Sequence, residues 1–220
     1  MHDLPLGQAP FAAEGGLGGV ASEPGQRSAE PHSPGTAAGA FILDASAIIN
    51  LLGSGDMPAV VRALGATCFV ETRTLREIQR HPIPGLDHRP VLADLQREGR
   101  LTVERMSGLE YETNLSLVAG TLASRLGSGE SAAIALAARG HALVLDENKA
   151  RRIVAQSFPA VPFFSTLRLL LAAAQRASLP VEQVRQWVLS ARVHARMGVP
   201  REEQSELEEL MRGVEGWPAG

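Results

Sequence analysis

Residues 126–152 read LGSGESAAIALAARGHALVLDENKARR, and the fold turns on them. Gly127-Ser128-Gly129 breaks whatever precedes it, with Ser128 as the expected helix N-cap. Ala132, Ala133, Leu136 and Ala137 then form a small-residue apolar face at helical spacing, and Gly140 ends the helix. Residues 142–145 (ALVL) are a short apolar run of the kind buried in a parallel sheet. Asp146 follows at its carboxyl end, where open α/β sheets gather their ligands. Glu130 opens the helix before that strand, so both acids can reach one edge of the sheet.

The same grammar recurs upstream. Residues 41–43 (FIL) read as a buried strand ending in Asp44, and residues 45–52 as a helix. Alone, Asp44 reads as an N-cap; its parallel with Asp146 makes it a ligand candidate. A helix is expected over 57–64, a strand over 67–70 and a helix over 72–80. In that last helix Glu77 can lean toward the strand ends; otherwise it is a solvated glutamate paired with Arg73 or Arg80. Glu71 is a weaker candidate. Residues 81–90 form a proline-rich surface or lid loop whose His81, Asp87 and His88 match no structural zinc spacing. A helix over 91–98, an edge strand over 101–104 and a longer helix over 109–126 lead to the central stretch. Beyond it, Lys149, Arg151 and Arg152 make a basic cluster one turn after Asp146, where a solvated helix face is the commoner outcome. A fifth strand (161–164), a helix capped by Ser165, and amphipathic helices over 180–211 broken at 198–200 complete the chain.

Composition narrows the function classes. Hydrophobic residues at 45% suit a globular protein, while 4% aromatics argue against a base-stacking platform. A net charge of −3 gives no global attraction for polyanions, so any basic patch is local. Cys68 is the only cysteine, which removes disulfide frameworks and thiolate zinc sites. No segment has the length and apolarity to span a bilayer, and a cytoplasmic protein is expected. Residues 1–39 lack the apolar mass to offset the entropy of ordering and read as a disordered tail. Residues 40–178 then form the domain and 179–220 a helical extension.

Strand–helix alternation predicts an α/β fold with a mainly parallel sheet; in a three-layer α/β/α arrangement with strand order 3-2-1-4-5 the Asp44 and Asp146 strands are neighbours at the switch point. Asp44, Glu77, Glu130 and Asp146 then compete for one site. Like charges ~5 Å apart cost roughly 3 kcal/mol per pair at an effective dielectric of about 20, so a cation is needed to hold four together. Oxygen-only ligands favour Mg²⁺ or Mn²⁺, and such a site suits activation of water against a phosphodiester.

At these residues a resemblance emerges. FILDASAIINLL resembles the opening strand and helix of PIN domains, and TLREI is similar to their second acidic position. The central stretch resembles the paired third and fourth positions, especially in the DUF3368 branch; the similarity spans about residues 41–177. The resemblance implies a metal-dependent ribonuclease, possible toxin of a toxin–antitoxin pair, with RNA and an antitoxin protein as partners and a possible homodimer. It implies that Asp44, Glu77, Glu130 and Asp146 hold one or two Mg²⁺ or Mn²⁺ ions, that Glu147 serves a second ion, and that Ser46 orients Asp44 or a bound water. Lys149, Arg151 and Arg152 would border the cleft and hold RNA phosphates. Glu130 departs from the aspartate common at that position, which changes its reach. Two alternatives stand beside this reading. Gly127, Gly129 and Ala132 fit a G-x-G-x-x-A dinucleotide pattern, but a helix rather than a strand is expected before Gly127. The other is a non-catalytic PIN-like binding module.

Overall fold

Strand β1 (Ala40–Leu43) runs through the middle of the molecule because its residues are apolar toward both sides. In the computed structural model, which describes residues 39–121 and 125–214, Phe41 and Leu43 enter one core and Ile42 the other. The chain continues through α1 (Ala45–Gly53), α2 (Met57–Leu64), β2 (Thr67–Glu71) and α3 (Thr72–Glu77). Next come α4 (His88–Arg97), β3 (Leu101–Glu104), α5 (Gly108–Val118), α6 (Ser128–Ala137) and β4 (Ala142–Val144). It closes with α7 (Asn148–Ser157), β5 (Phe163–Phe164), α8 (Thr166–Arg176), α9 (Val181–His194), a 3-10 turn at Arg201–Glu203 and α10 (Gln204–Met211).

The five strands are all parallel, as the alternation predicts, and stand in the expected order β3-β2-β1-β4-β5. β1 pairs with β2 on one side and β4 on the other, so successive connections leave the sheet centre in opposite directions. Such a switch point opens a crevice at the carboxyl ends of the two central strands. Alternation along the strands separates two cores. Phe41, Leu43, Ala142 and Val144 pack with residues of α1, α2, α8 and α9, including Trp187 and Val188. Ile42, Leu143 and Leu145 pack with the small face of α6 and with Ala150, Ile153 and Val154 of α7. Helix α6 is buried from Ser131 to Ala137, which explains its alanine content: bulkier side chains would hold it off the sheet.

Several element boundaries differ from the pattern in the sequence. α3 stops at Glu77 because Ile78 turns out of helical geometry (ψ 87°). α4 begins at His88, not Val91: Asp87 caps it, and Pro90 sits in the first turn, where a missing N–H costs nothing. Gly127, rather than Ser128, occupies the N-cap position of α6. α5 ends at Val118; its expected continuation crosses residues 122–124, which lie outside the described residues, as do residues 1–38 of the tail expected over 1–39. Among the described residues no helix is long and apolar enough to cross a membrane.

Candidate active site

The carboxyl ends of β1 and β4 deliver two acids to the same crevice. Leu43 is in register with Val144, so Asp44 and Asp146 emerge beside one another. Asp44 is 1% exposed and caps α1: its Oδ1 accepts from Ala47 N at 2.6 Å, and the Ser46 hydroxyl donates to both carboxylate oxygens at 2.8–2.9 Å. It makes no ion pair among the described residues. Asp146 is gripped by three donors. Thr166 N lies 2.7 Å from Oδ1, while Thr166 Oγ1 and Asn50 Nδ2 lie 2.5 and 2.8 Å from Oδ2.

The other acids stand around this pair. Glu130, in the first turn of α6, folds back to accept from Gly127 N at 3.1 Å. Glu77, the last residue of α3, lays its carboxylate over Gly129: a Cβ built there would stand 2.5 Å from Glu77 Oε2. Thr74 Oγ1 donates to Gly129 O at 3.4 Å and Asn114 Nδ2 to Ser128 O at 3.5 Å, fixing the start of α6 against α3 and α5. Glu147 is exposed and caps α7 through Ala150 N at 2.7 Å. The structure thus gathers Asp44, Asp146, Glu130, Glu77 and Glu147 around the start of α6 and the two central strand ends.

The electrostatics follow from that crowding. Burial, then the charge of Asp146, pushes the Asp44 carboxyl up to about 8 against the pull of Ala47 N and Ser46; Glu130 adds to the rise. Burial raises Glu130, opposed by the Gly127 amide, and neighbouring Glu147 and Glu77 raise it further. Burial also raises Asp146, despite Thr166, Asn50 and the nearby charge of Arg151. A buried Asp44 without an ion pair among the described residues, beside a half-buried Asp146, forms a site that a divalent cation would relieve. The all-oxygen donor set fits Mg²⁺ or Mn²⁺. In the present arrangement no three His, Cys, Asp or Glu side chains among the described residues stand close enough to hold one ion. Glu130 is turned onto Gly127 N and Asp146 onto Thr166.

The basic cluster divides. Lys149 Nζ donates to Arg125 O at 2.6 Å and its charge lowers the pKa of Glu130, so it stands at the mouth of the crevice. Arg152 is exposed. Arg151 does not border the crevice as a phosphate contact, contrary to the expectation from sequence. Its side chain is 7% exposed, donates to Leu145 O at 3.0 Å, pairs with Glu202 and Glu203 at 2.9 and 3.4 Å, and stacks on Phe163. Glu203 is fully buried and also receives Ser165 Oγ and, at ion-pair distance, Arg168. Arg151 therefore braces the strand end that carries Asp146. In the 81–90 loop, Asp87 pairs with Arg89 rather than with the histidines. Cys68 is buried and its thiol is pushed up to about 12, which makes it unreactive.

Asn50 and Thr166 escaped the sequence reading. Each had a faint signal: Asn50 is an amide within the apolar run of residues 47–52, and Thr166 follows the end of β5, on the same sheet edge as Asp146.

Comparison with curated proteins and with solved structures gives no match. The family model DUF3368, described as a PIN domain, matches residues 40–199, which include all five acids and both central strand ends. With that match over most of its length, and the five-stranded parallel sheet that presents those acids, this chain belongs to the PIN domain family.

Proposed function

We propose that this chain is a ribonuclease that hydrolyses RNA phosphodiester bonds with one or two Mg²⁺ or Mn²⁺ ions. The family is a nuclease-type fold, and one observation of this chain supports the activity: buried Asp44 and half-buried Asp146 share the crevice of adjacent strand ends, and the charge of Asp146 disfavours ionisation of Asp44. A bound ion supplies a water of lowered pKa and charge opposite the phosphate. Asp44 and Asp146 are the proposed inner ligands, held in orientation by Ser46 and by Thr166 with Asn50. Glu130 and Glu77 are proposed to complete the set once Glu130 leaves Gly127 N, with Glu147 serving a second ion. Lys149 and Arg152 are the proposed phosphate contacts at the mouth. A toxin–antitoxin pair is the proposed biological setting. That no three acids among the described residues stand within reach of one point favours a second reading, a non-catalytic nucleic-acid or protein binding module.

One experiment separates the two. Single-stranded RNA is expected to be cleaved when Mn²⁺ is added and to stay intact in EDTA, while Mn²⁺ raises the melting temperature. Intact RNA and an unmoved melting temperature would leave the binding module. A second substitution tests the place of Glu77. Gly129→Ala replaces a helical glycine with a better helix former, so stability is expected to hold or rise by about 0.5–1 kcal/mol. The new methyl displaces the Glu77 carboxylate, and cleavage is expected to fall about tenfold or more, as when the support of a metal site is lost. Unchanged cleavage at saturating and limiting Mn²⁺ would remove Glu77 from the site.

A further inference from the structure

A cleft of about 640 Å³ opens beside Glu77, between the segment after α3 and the end of α9, with Ile49 of α1 in its lining. Its walls carry Arg80 and His81 on one side and His194 and Arg196 on the other. Neither Arg80 nor Arg196 is ion-paired among the described residues, and both are exposed. We propose that this cleft holds the phosphate backbone of single-stranded RNA leading away from the acid cluster. The inference rests on the ribonuclease reading for its substrate class and extends it to residues outside the crevice.

Four features carry it. First, the cleft adjoins the acid cluster through Glu77, which both lines it and lies over Gly129. A strand whose reacting phosphate sits at the acids is thereby passed to a cationic wall. Second, the donors suit phosphate. Two guanidiniums present forked N–H groups, and His81 Nδ1 accepts from Ile83 N at 3.0 Å, which leaves its neutral ring with the proton on Nε2 as a further donor. Third, the walls are set before any ligand arrives. Ser190 Oγ donates to Gly53 O at 2.7 Å, and a Cβ on Gly53 would stand 2.5 Å from Ala195 Cβ, so the end of α9 lies directly on α1, the helix that Asp44 caps. Arg196 itself holds a left-handed backbone (φ +57°), a position that glycine fills with less strain. Fourth, among the described residues no Phe, Tyr or Trp lines the cleft, so charge outweighs base stacking there, and contacts to phosphate position a strand without reading its sequence.

The test measures binding of a fluorescein-labelled ten-nucleotide oligouridylate in EDTA over a salt series, for the full chain and for Arg80→Gln/Arg196→Gln. Each phosphate contact on a single strand contributes about 0.7 to the slope of log K against log salt, so the double variant is expected to lose about 1.4 and to bind more weakly at low salt. The control Arg97→Gln/Arg105→Gln, which removes equal charge outside the cleft, is expected to keep the slope. An unchanged slope in Arg80→Gln/Arg196→Gln, equal losses in the control, or no RNA binding by the parent would overturn the proposal. So would a decaglutamate peptide that competes at the concentration of the RNA, which would mark the cleft as a protein-binding site. Cleavage with Mn²⁺ is read separately. A parent that binds with the steep slope but never cleaves removes the ribonuclease activity and leaves the cleft standing; a cleaving parent whose slope the variant shares removes the cleft alone.

Discussion

Asp44→Asn is expected to abolish Mn²⁺-dependent cleavage while making the metal-free protein more stable at pH 8. The two effects share one cause. Asp44 is buried at the end of β1 next to Asp146, and its carboxyl is pushed from 3.8 up to about 8. Across that window the folded chain binds more protons at this site than the unfolded chain, so stability falls as pH rises from about 4 to about 8. Asparagine removes the titration and flattens that part of the profile. It also keeps the local structure: its oxygen accepts from Ala47 N, its amide can donate to Ser46 Oγ, and asparagine caps a helix as well as aspartate does. A rise in melting temperature on the order of 5 °C at pH 8 is expected, at about 2–4 °C per kcal/mol for a chain of this size. With Mn²⁺ the order reverses. The parent gains about 2.7 kcal/mol at a hundred times the dissociation constant, and the variant gains little. Cleavage is expected to drop at least about 100-fold, since even indirect supports of a metal site are worth 10–100-fold. Thermal melts from pH 4 to 8, with and without Mn²⁺, together with a cleavage assay, check each part. A variant that cleaves like the parent would make Asp44 only the cap of α1.

The largest loss of stability is expected from Arg151→Ala. Its guanidinium is 7% exposed and holds together Leu145 O, Glu202, Glu203 and the face of Phe163. Removing one partner of a buried ion pair typically costs about 3–5 kcal/mol, because the remaining charge stays behind without its counter-ion. Arg168 and Ser165 still serve Glu203, which places the expectation near the lower figure. A fall in melting temperature on the order of 10 °C follows from about 2–4 °C per kcal/mol. Arg152→Ala, one residue on but exposed, is expected to change the melting temperature by less than about 2 °C, since isolated surface substitutions stay within about 0.5 kcal/mol. Equal melts for the two variants would return Arg151 to a solvated helix face. Arg151 also lowers the pKa of Asp146, so its loss is expected to weaken Mn²⁺ binding without any contact to the ion.

The sequence by itself determined the α/β class, the parallel sheet and the acids at the strand ends. Those features are written locally: a strand covered on both faces needs an unbroken apolar run such as FIL or ALVL, and the residue that follows it falls at the sheet edge. Small residues over 132–137 announced a helix pressed against the sheet for the same reason. Tertiary structure alone decided which polar residues serve those acids. Asn50 meets Asp146 across 96 residues and Thr166 across 20, and no local pattern encodes either pairing. It also split the Lys149-Ala150-Arg151-Arg152 run. Successive residues point about 100° apart around a helix, so Arg152 faces outward while Arg151 turns inward to Glu203, 52 residues away. Charge in a sequence states how many cations a helix carries; burial, which depends on what the rest of the chain packs against it, decides which of them can meet a ligand.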